Sequence, residues 1–433
     1  MKIKYEQRLN QKLELITDKT LVVGIDIAKG VHWARTVDYR GIEIGKAIHF
    51  FNNKQGFDNI VSTIHERCKQ NDYEKVIVGM EPTGHYWKPL ANYLHKQEDM
   101  TVVLVNPYAT KMSKELDDNS PTKSDKKDSL TIARLVKDGR YFETYLPHDV
   151  YADLRVMSST RQSLNKRKNA LKNTIVAVMD EYFPEFITVF KHPLKGKAAR
   201  HILKTCPFPR FILEKSEDEL TNEIKSAVKK TVGRKHAQKL IAAAHVSIGV
   251  DYGEEAARFK LLSLMEGLDL VDYQIERLEA NMASTLEEIG YTKYLLSIKG
   301  FGVVTLATLL GELGDPKRFE DPRQMSRMAG YNLKEDSSGK NQSGTCISKR
   351  GRKNLRSVLY QIALNMTATN PEMRELYKYL KTRKNNPLKK MQAMVVISKK
   401  ILVLVHALVK KEEYYNAGKV FGVVRREQLK MAA

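Results

Sequence analysis

Cysteine is scarce in this chain, with three in 433 residues. Cys68, Cys206 and Cys346 stand far apart and form no CxxC pair, which excludes a disulfide framework or a zinc knuckle and fits a reducing cytoplasm. An apolar leader is missing too. The first residues are polar and charged, with no apolar core ahead of a small-residue cleavage site, so no signal peptide is expected. Long apolar runs are few. The longest, around Met394 to Val409, is interrupted by Lys399 and Lys400 and is too short to cross a bilayer, so it predicts a buried or partner-facing helix and no membrane partner. Acidic residues are in the minority, 51 against 73 Lys and Arg, for a net charge of +22. That balance predicts a polyanionic partner, most simply nucleic acid. Ribosomal and membrane-surface proteins share it, and composition does not separate DNA from RNA. The length predicts two or three domains.

Leu21 to Ile27 (LVVGIDI) is a near-continuous apolar run, as expected of a central strand buried on both faces, and Asp26 is out of place in it. Extended segments follow over His32 to Asp38 and Glu43 to Phe50, with Tyr39, Arg40 and Gly41 as the turn. A helix over Gln55 to Cys68 leads to a second buried strand, Lys75 to Met80, which stops at Glu81 because Pro82, Thr83 and Gly84 form a turn. A helix near His85 to His95, a strand over Thr101 to Val105 and a last helix complete a βββαβαβα order, that of a ribonuclease-H-like fold.

That last helix carries Asp125 and Asp128. With Ile132, Leu135 and Val136 they follow the i, i+3, i+4 rule, so both acids continue the apolar stripe toward the core. Unpaired buried carboxylates need a cation or must take up protons. Asp26, Glu81, Asp125 and Asp128 together therefore form a candidate two-metal site for phosphodiester chemistry, and oxygen ligands suit Mg²⁺. Each acid also has a plainer role. Asp125 and Asp128 favour a helix N-terminus, with Ser124 as N-cap, and Asp26 suits a strand end. Gly24 to Lys29 (GIDIAK) also resembles the first phosphate strand of sugar kinases and actin-like ATPases, but no further Gly-rich phosphate loops follow.

From Val150 to Phe183 and from Glu254 to Ile289, charged segments carry apolar residues at near-heptad spacing, among them Leu154, Met157, Leu164, Leu171 and Val178. This predicts helical packing, as a pair within the chain or as a dimer seam. Between them, Pro184 to Val250 is basic and reads as a small helical insert. Leu295 to Gly314 places Gly300-Phe301-Gly302 between two apolar helical runs, like a helix-hairpin-helix element that lets the backbone approach a phosphate, with Lys299 as a further candidate contact, although GxG is also an ordinary tight turn. Gly330 to Arg356 is rich in Ser and Gly and then in Lys349, Arg350, Lys353, Arg352 and Arg356, which suit phosphate contacts. On spacing alone it predicts a polar surface loop leading into a basic helix start. No His-Asp partner identifies an activated hydroxyl.

In order along the chain, GIDIAK, GMEPTGHY, KSDKKDSLTIARL, SIKGFGVVTLATLLGELGD, RQMSRMAGY, and SSGK followed by ISKRGRKNLR resemble the DEDD transposases of the insertion-sequence 110 family. The resemblance runs from Leu21 to about Leu364. It implies a RuvC-like domain over 18–147, a helical coiled-coil middle with a basic insert over 148–290, and a mainly α serine transposase domain with a helical tail over 291–433. It further implies that Asp26, Glu81, Asp125 and Asp128 coordinate Mg²⁺ and that Ser338, before Gly339, attacks DNA. Ser337 and the Ser343-Gly344 pair lie close by; register favours Ser338 and leaves Ser337 open. Asn332-Leu333-Lys334 stands where many relatives carry an Ala-Pro-Arg-like segment. The implied partners are donor and target DNA, a noncoding bridge RNA, and further copies of the chain as dimers assembling to tetramers, in a bacterial cytoplasm at the nucleoid. The competing functions are a metal-dependent, junction-resolvase-like nuclease and a nonenzymatic nucleic-acid scaffold.

Overall fold

A computed structural model of the chain describes residues 9–118, 125–228, 233–338 and 341–430. It divides into two compact units, Met1–Leu146 and Pro147–Ala433.

The first unit is built on a six-stranded sheet. Strands β1 (Thr20–Asp26), β2 (Val31–Val37) and β3 (Ile48–Phe51) come first. Helix α1 (Lys54–Asn71) then leads to β4 (Lys75–Met80), α2 (Trp87–Leu94) and β5 (Met100–Val105). Helices α3 (Pro107–Asp118) and α4 (Asp125–Lys137) and the short β6 (Tyr141–Glu143) complete it. The strand order is β3-β2-β1-β4-β5-β6. β1 pairs antiparallel with β2 and parallel with β4, and β4 pairs parallel with β5. The apolar runs of β1 and β4 are explained by this central position, since both faces are covered. Leu21, Val23, Ile25, Val76 and Val78 pack toward Ile60, Ile64 and Leu90, while Val22 and Ile77 pack toward Ile132, Ala133 and Val136.

Three details differ from the sequence reading. The third strand is shorter than Glu43 to Phe50, because Glu43 makes only an isolated bridge to Val37 and the ladder resumes at Ile48. α3 and β6 were not expected. Ser124, the expected N-cap of α4, lies outside the described residues.

The second unit is organised by two 34-residue helices, α5 (Asp149–Tyr182) and α11 (Glu254–Glu287). Arg161 pairs with Glu279 at 2.6 Å and Lys168 with Asp272 at 2.6 Å, so the helices run antiparallel within one chain. Between them the insert forms short helices α6 (Phe186–Val189), α7 (Lys197–Thr205), α8 (Pro209–Leu213), α9 (Glu217–Ala227) and α10 (Gly233–His245). Phe183, Phe186, Ile202 and Phe208 form its core together with Met179 of α5 and Leu261 of α11.

The opposite end of the helix pair carries α12 (Thr292–Leu296), α13 (Val303–Leu313) and α14 (Pro322–Met328). A hairpin of β7 (Leu333–Ser338) and β8 (Asn341–Ile347) follows, then α15 (Lys353–Thr369), α16 (Pro371–Thr382), α17 (Lys390–Lys411) and α18 (Val423–Lys430). The polar loop expected over 330–356 is thus largely a β-hairpin. α17 is long and apolar enough to cross a membrane by length and composition, but more than half of its apolar window is buried. Ile397, Ile401 and Val405 pack with Leu310, Leu359 and Ile362, which makes α17 the core helix of this region.

Candidate active site

Asp26 closes β1, and Glu81 follows the last residue of β4. Ile25 lies opposite Met80 in the parallel ladder, so the next step along each strand brings Asp26 and Glu81 to the same edge of neighbouring strands. Side chains alternate between faces of a sheet. Val22 and Ile77 face α4, and strand alternation, continued four residues along each chain segment, assigns Asp26 and Glu81 to the same side. Between them sits Gly24. A Cβ there would lie 2.2 Å from the carbonyl oxygen of Ser129 and 2.3 Å from the backbone nitrogen of Ala133. At Gly79 it would lie 2.3 Å from Val136 Cγ2. The two glycines therefore let α4 rest directly on the strand backbones, and Asp128, next to Ser129, is carried beside the end of β1.

Asp26, Glu81 and Asp128 are all half-buried. Thr83 Oγ1 donates to Glu81 Oε1 at 2.9 Å. The loop leaving Asp26 is held from β2 and β3: the Ala28 N–H donates to His32 Nδ1 at 3.2 Å, and Asn52 Nδ2 donates to the carbonyl of Lys29 at 3.1 Å. His32 is fully buried, burial lowers its pKa, and its Nδ1 accepts the Ala28 N–H. The sequence reading missed Thr83, His32 and Asn52 as supports. Pro82-Thr83-Gly84 was legible only as a turn, and His32 only as the start of a strand. Among the described residues, no group of three or more His, Cys, Asp and Glu side chains lies close enough to hold a metal ion. The side chain of Asp125 lies outside the described set.

In the second unit, Ser338 is the last residue of β7, paired with Asn341, and Ser337 is paired with Gln342. Both therefore stand at the hairpin tip. Their side chains, like Gly339 and Lys340, lie outside the described set. The base of the hairpin is tied down by the Ser348 N–H to the Asn332 carbonyl at 2.7 Å and the Lys349 N–H to the Gly330 carbonyl at 3.1 Å.

The basic residues divide into two kinds. Arg352 Nη1 donates to the Glu312 carbonyl at 2.6 Å, and Arg356 Nη1 donates to the carbonyls of Ala329 and Gly351, each at 3.1 Å. These two brace the hairpin's exit against α13 and α14. Lys349, Arg350 and Lys353 are exposed. Lys299, also exposed, precedes Gly300, whose φ of +103° permits a turn that a side chain would crowd. Asn365 Nδ2 fixes this turn by donating to the Gly300 carbonyl at 2.7 Å.

The segments with these features are matched by known families. Residues 23–184 match a family model described as Transposase, of the DEDD type of IS110 elements. Residues 292–378 match a second model, described as Transposase IS116/IS110/IS902 family. The chain is 24% identical over 319 residues to the mini-circle IS117 protein of Streptomyces coelicolor, named as a candidate transposase, covering 72% of this chain and 76% of that one. It is 22% identical over 303 residues to an IS110 insertion-element protein of the same organism, covering 70% and 74%. A 90-residue stretch is 36% identical to the transposase for insertion sequence element IS1328 of Yersinia enterocolitica, covering 21% and 27%.

An acid-bearing sheet domain and a serine-bearing helical domain, each matched in order along one chain, define an enzyme of the DNA transposase class. The chain belongs to the IS110 family of transposases.

Proposed function

We propose that this transposase excises and inserts its element by strand exchange through a covalent serine–DNA link, using a Mg²⁺-dependent DEDD site on a ribonuclease-H-like (RuvC-like) sheet. The observation that carries the proposal is the register of β1 and β4, which brings Asp26 and Glu81 to adjacent strand ends on the face that α4 covers. The strand order, three antiparallel strands continued by two parallel ones, supports the ribonuclease-H-like reading.

The donor set fits a hard divalent cation, since Asp26, Glu81, Asp125 and Asp128 offer only carboxylate oxygens. Bound by these residues, Mg²⁺ would polarise the scissile phosphate and favour departure of the 3′-oxygen. Ser338 supplies the nucleophile: its Oγ forms a bond to phosphorus as the bond from phosphorus to O3′ breaks, and the serine proton is lost as the 3′-hydroxyl gains one. A 3′-hydroxyl from another strand then displaces the serine. No bond energy is lost, because each broken phosphodiester is conserved in the protein link. Lys299, Lys349, Arg350 and Lys353 hold the DNA backbone, and Arg352 and Arg356 position the hairpin that they brace. Family resemblance supports a bridge RNA as guide, and dimers that assemble to tetramers, in the bacterial cytoplasm.

The test is cleavage of donor DNA by the full chain in the presence of its bridge RNA. Cleavage is expected to vanish with EDTA, return with Mg²⁺, and vanish in Asp26→Asn and Glu81→Gln while circular dichroism stays unchanged. Metal-independent cleavage, or full activity in both variants, would contradict the DEDD assignment.

A further inference from the structure

The insert meets the long helices through an uneven set of charges. α11 contributes two acids, Asp269 and Asp272. Arg200 of α7 pairs with both, at 3.0 Å to Asp272, and Lys204 pairs with Asp269. Lys168 of α5 pairs with Asp272 at 2.6 Å. Two carboxylates are thus paired with three cations. Lys172, one turn further along α5, and Lys195, in the loop before α7, stand beside the same group with no ion pair or hydrogen bond from their side chains among the described residues. Five cations face two anions.

Lys172 is the telling member, because it is half-buried where a mobile side chain could have reached water. Burial pushes its ammonium below the ordinary lysine range, and Lys168, Lys195 and Arg200 push it further against the pull of Asp272. A half-buried cation surrounded by cations costs stability unless an anion arrives. His201, on the same helix, is engaged elsewhere, with Glu223 at 2.6 Å, and Glu223 in turn binds Lys215 at 2.9 Å, so no further acid is available from that side.

We propose that Lys168, Lys172, Lys195, Arg200 and Lys204 form a phosphate-binding site for a nucleic-acid backbone, at the junction of the insert with the α5/α11 pair. The insert cations lie between the two family-matched segments, in a part of the chain to which the strand-exchange chemistry assigns nothing. The site takes from the proposed function only the class of ligand, the phosphodiester backbone of DNA or RNA. Its use is to fix the path of one nucleic acid along the helix pair while chemistry proceeds elsewhere.

The test is titration of the full chain, wild type and Lys172→Met, with mixed-sequence duplex DNA and with mixed-sequence single-stranded RNA over a range of salt. In Lys172→Met the slope of log K against log salt is expected to shrink by about 0.9 for the duplex, or about 0.7 for the single strand. Affinity should fall equally for unrelated sequences, while the melting temperature without nucleic acid rises. Loss on the duplex alone assigns the site to DNA, loss on the single strand alone to RNA, and loss on both to either backbone. The exposed Lys195→Gln is the second variant and should act in the same direction. Slopes unchanged in both variants, with wild-type binding intact, would overturn the site and leave the transposase chemistry standing. Absence of wild-type binding to either nucleic acid would overturn both.

Discussion

Gly24 has no room for a methyl group, because a Cβ there would fall 2.2 Å from a backbone oxygen of α4. Gly24→Ala is expected to destabilise the first unit by about 1–3 kcal/mol, read from urea unfolding, since helix or strand must give way. Asp26 could be read from sequence because an acid in an apolar run stands out. Gly24 could not, since its constraint comes from a helix far along the chain. A second residue sets a pH dependence. Asp38 accepts from the N–H groups of Arg40 and Ile42 at 2.9 and 2.8 Å and from Arg40 Nε at 2.8 Å, closing the turn after β2. Burial pushes its carboxyl up, but the bonds from Ile42 and Arg40 outweigh this and leave it below the ordinary range. A depressed folded pKa contributes stability above the unfolded carboxyl value of about 4, and that stability is lost as pH falls through the folded value. Asp38→Asn should therefore be less stable than wild type at pH 7 and show a shallower acid decline. Equal unfolding free energies from pH 7 to acid would contradict this.

The hairpin of β7 and β8 is the element least visible in the sequence. Its residues, LKEDSS and NQSGTCI, lack the alternation of apolar and polar positions that marks a half-buried strand, and Ser, Asn and Gly read as loop. Pairing between the strands, with a register shift between Lys334 and Asp336, supplies what local preference does not. β6 was hidden for a similar reason, since its three residues gain strand geometry only against β5. The buried strands β1 and β4 and the two long helices were legible because their patterns are long and local. Arg352 and Arg356 were read as phosphate contacts along with their neighbours, and the structure gives each of them bonds to backbone carbonyls besides. Arg356→Ala is expected to lower the melting temperature, through loss of its bonds to Ala329 and Gly351. The exposed Lys353→Ala should change stability by no more than about 0.5 kcal/mol and weaken DNA binding. The reverse pattern would show that the division between bracing and binding residues is wrong.

For the whole molecule, the proposed metal site would draw on an acid-bearing sheet in one unit and the proposed nucleophile on a serine-bearing hairpin in the other. A metal-dependent nuclease needs only the first, and a binding scaffold needs neither. The net charge of +22 serves all three readings and decides none of them. A protein–DNA bond is peculiar to the serine reading. The decisive measurement is therefore to supply the full chain with its bridge RNA, donor DNA, target DNA and Mg²⁺, and to look for a denaturant-stable protein–DNA adduct in wild type, Ser337→Ala, Ser338→Ala and Asp26→Ala. The account predicts an adduct in wild type and Ser337→Ala that is lost in Ser338→Ala and Asp26→Ala. DNA cleavage with no adduct in any of the four, or an adduct that survives in Ser338→Ala, would contradict it.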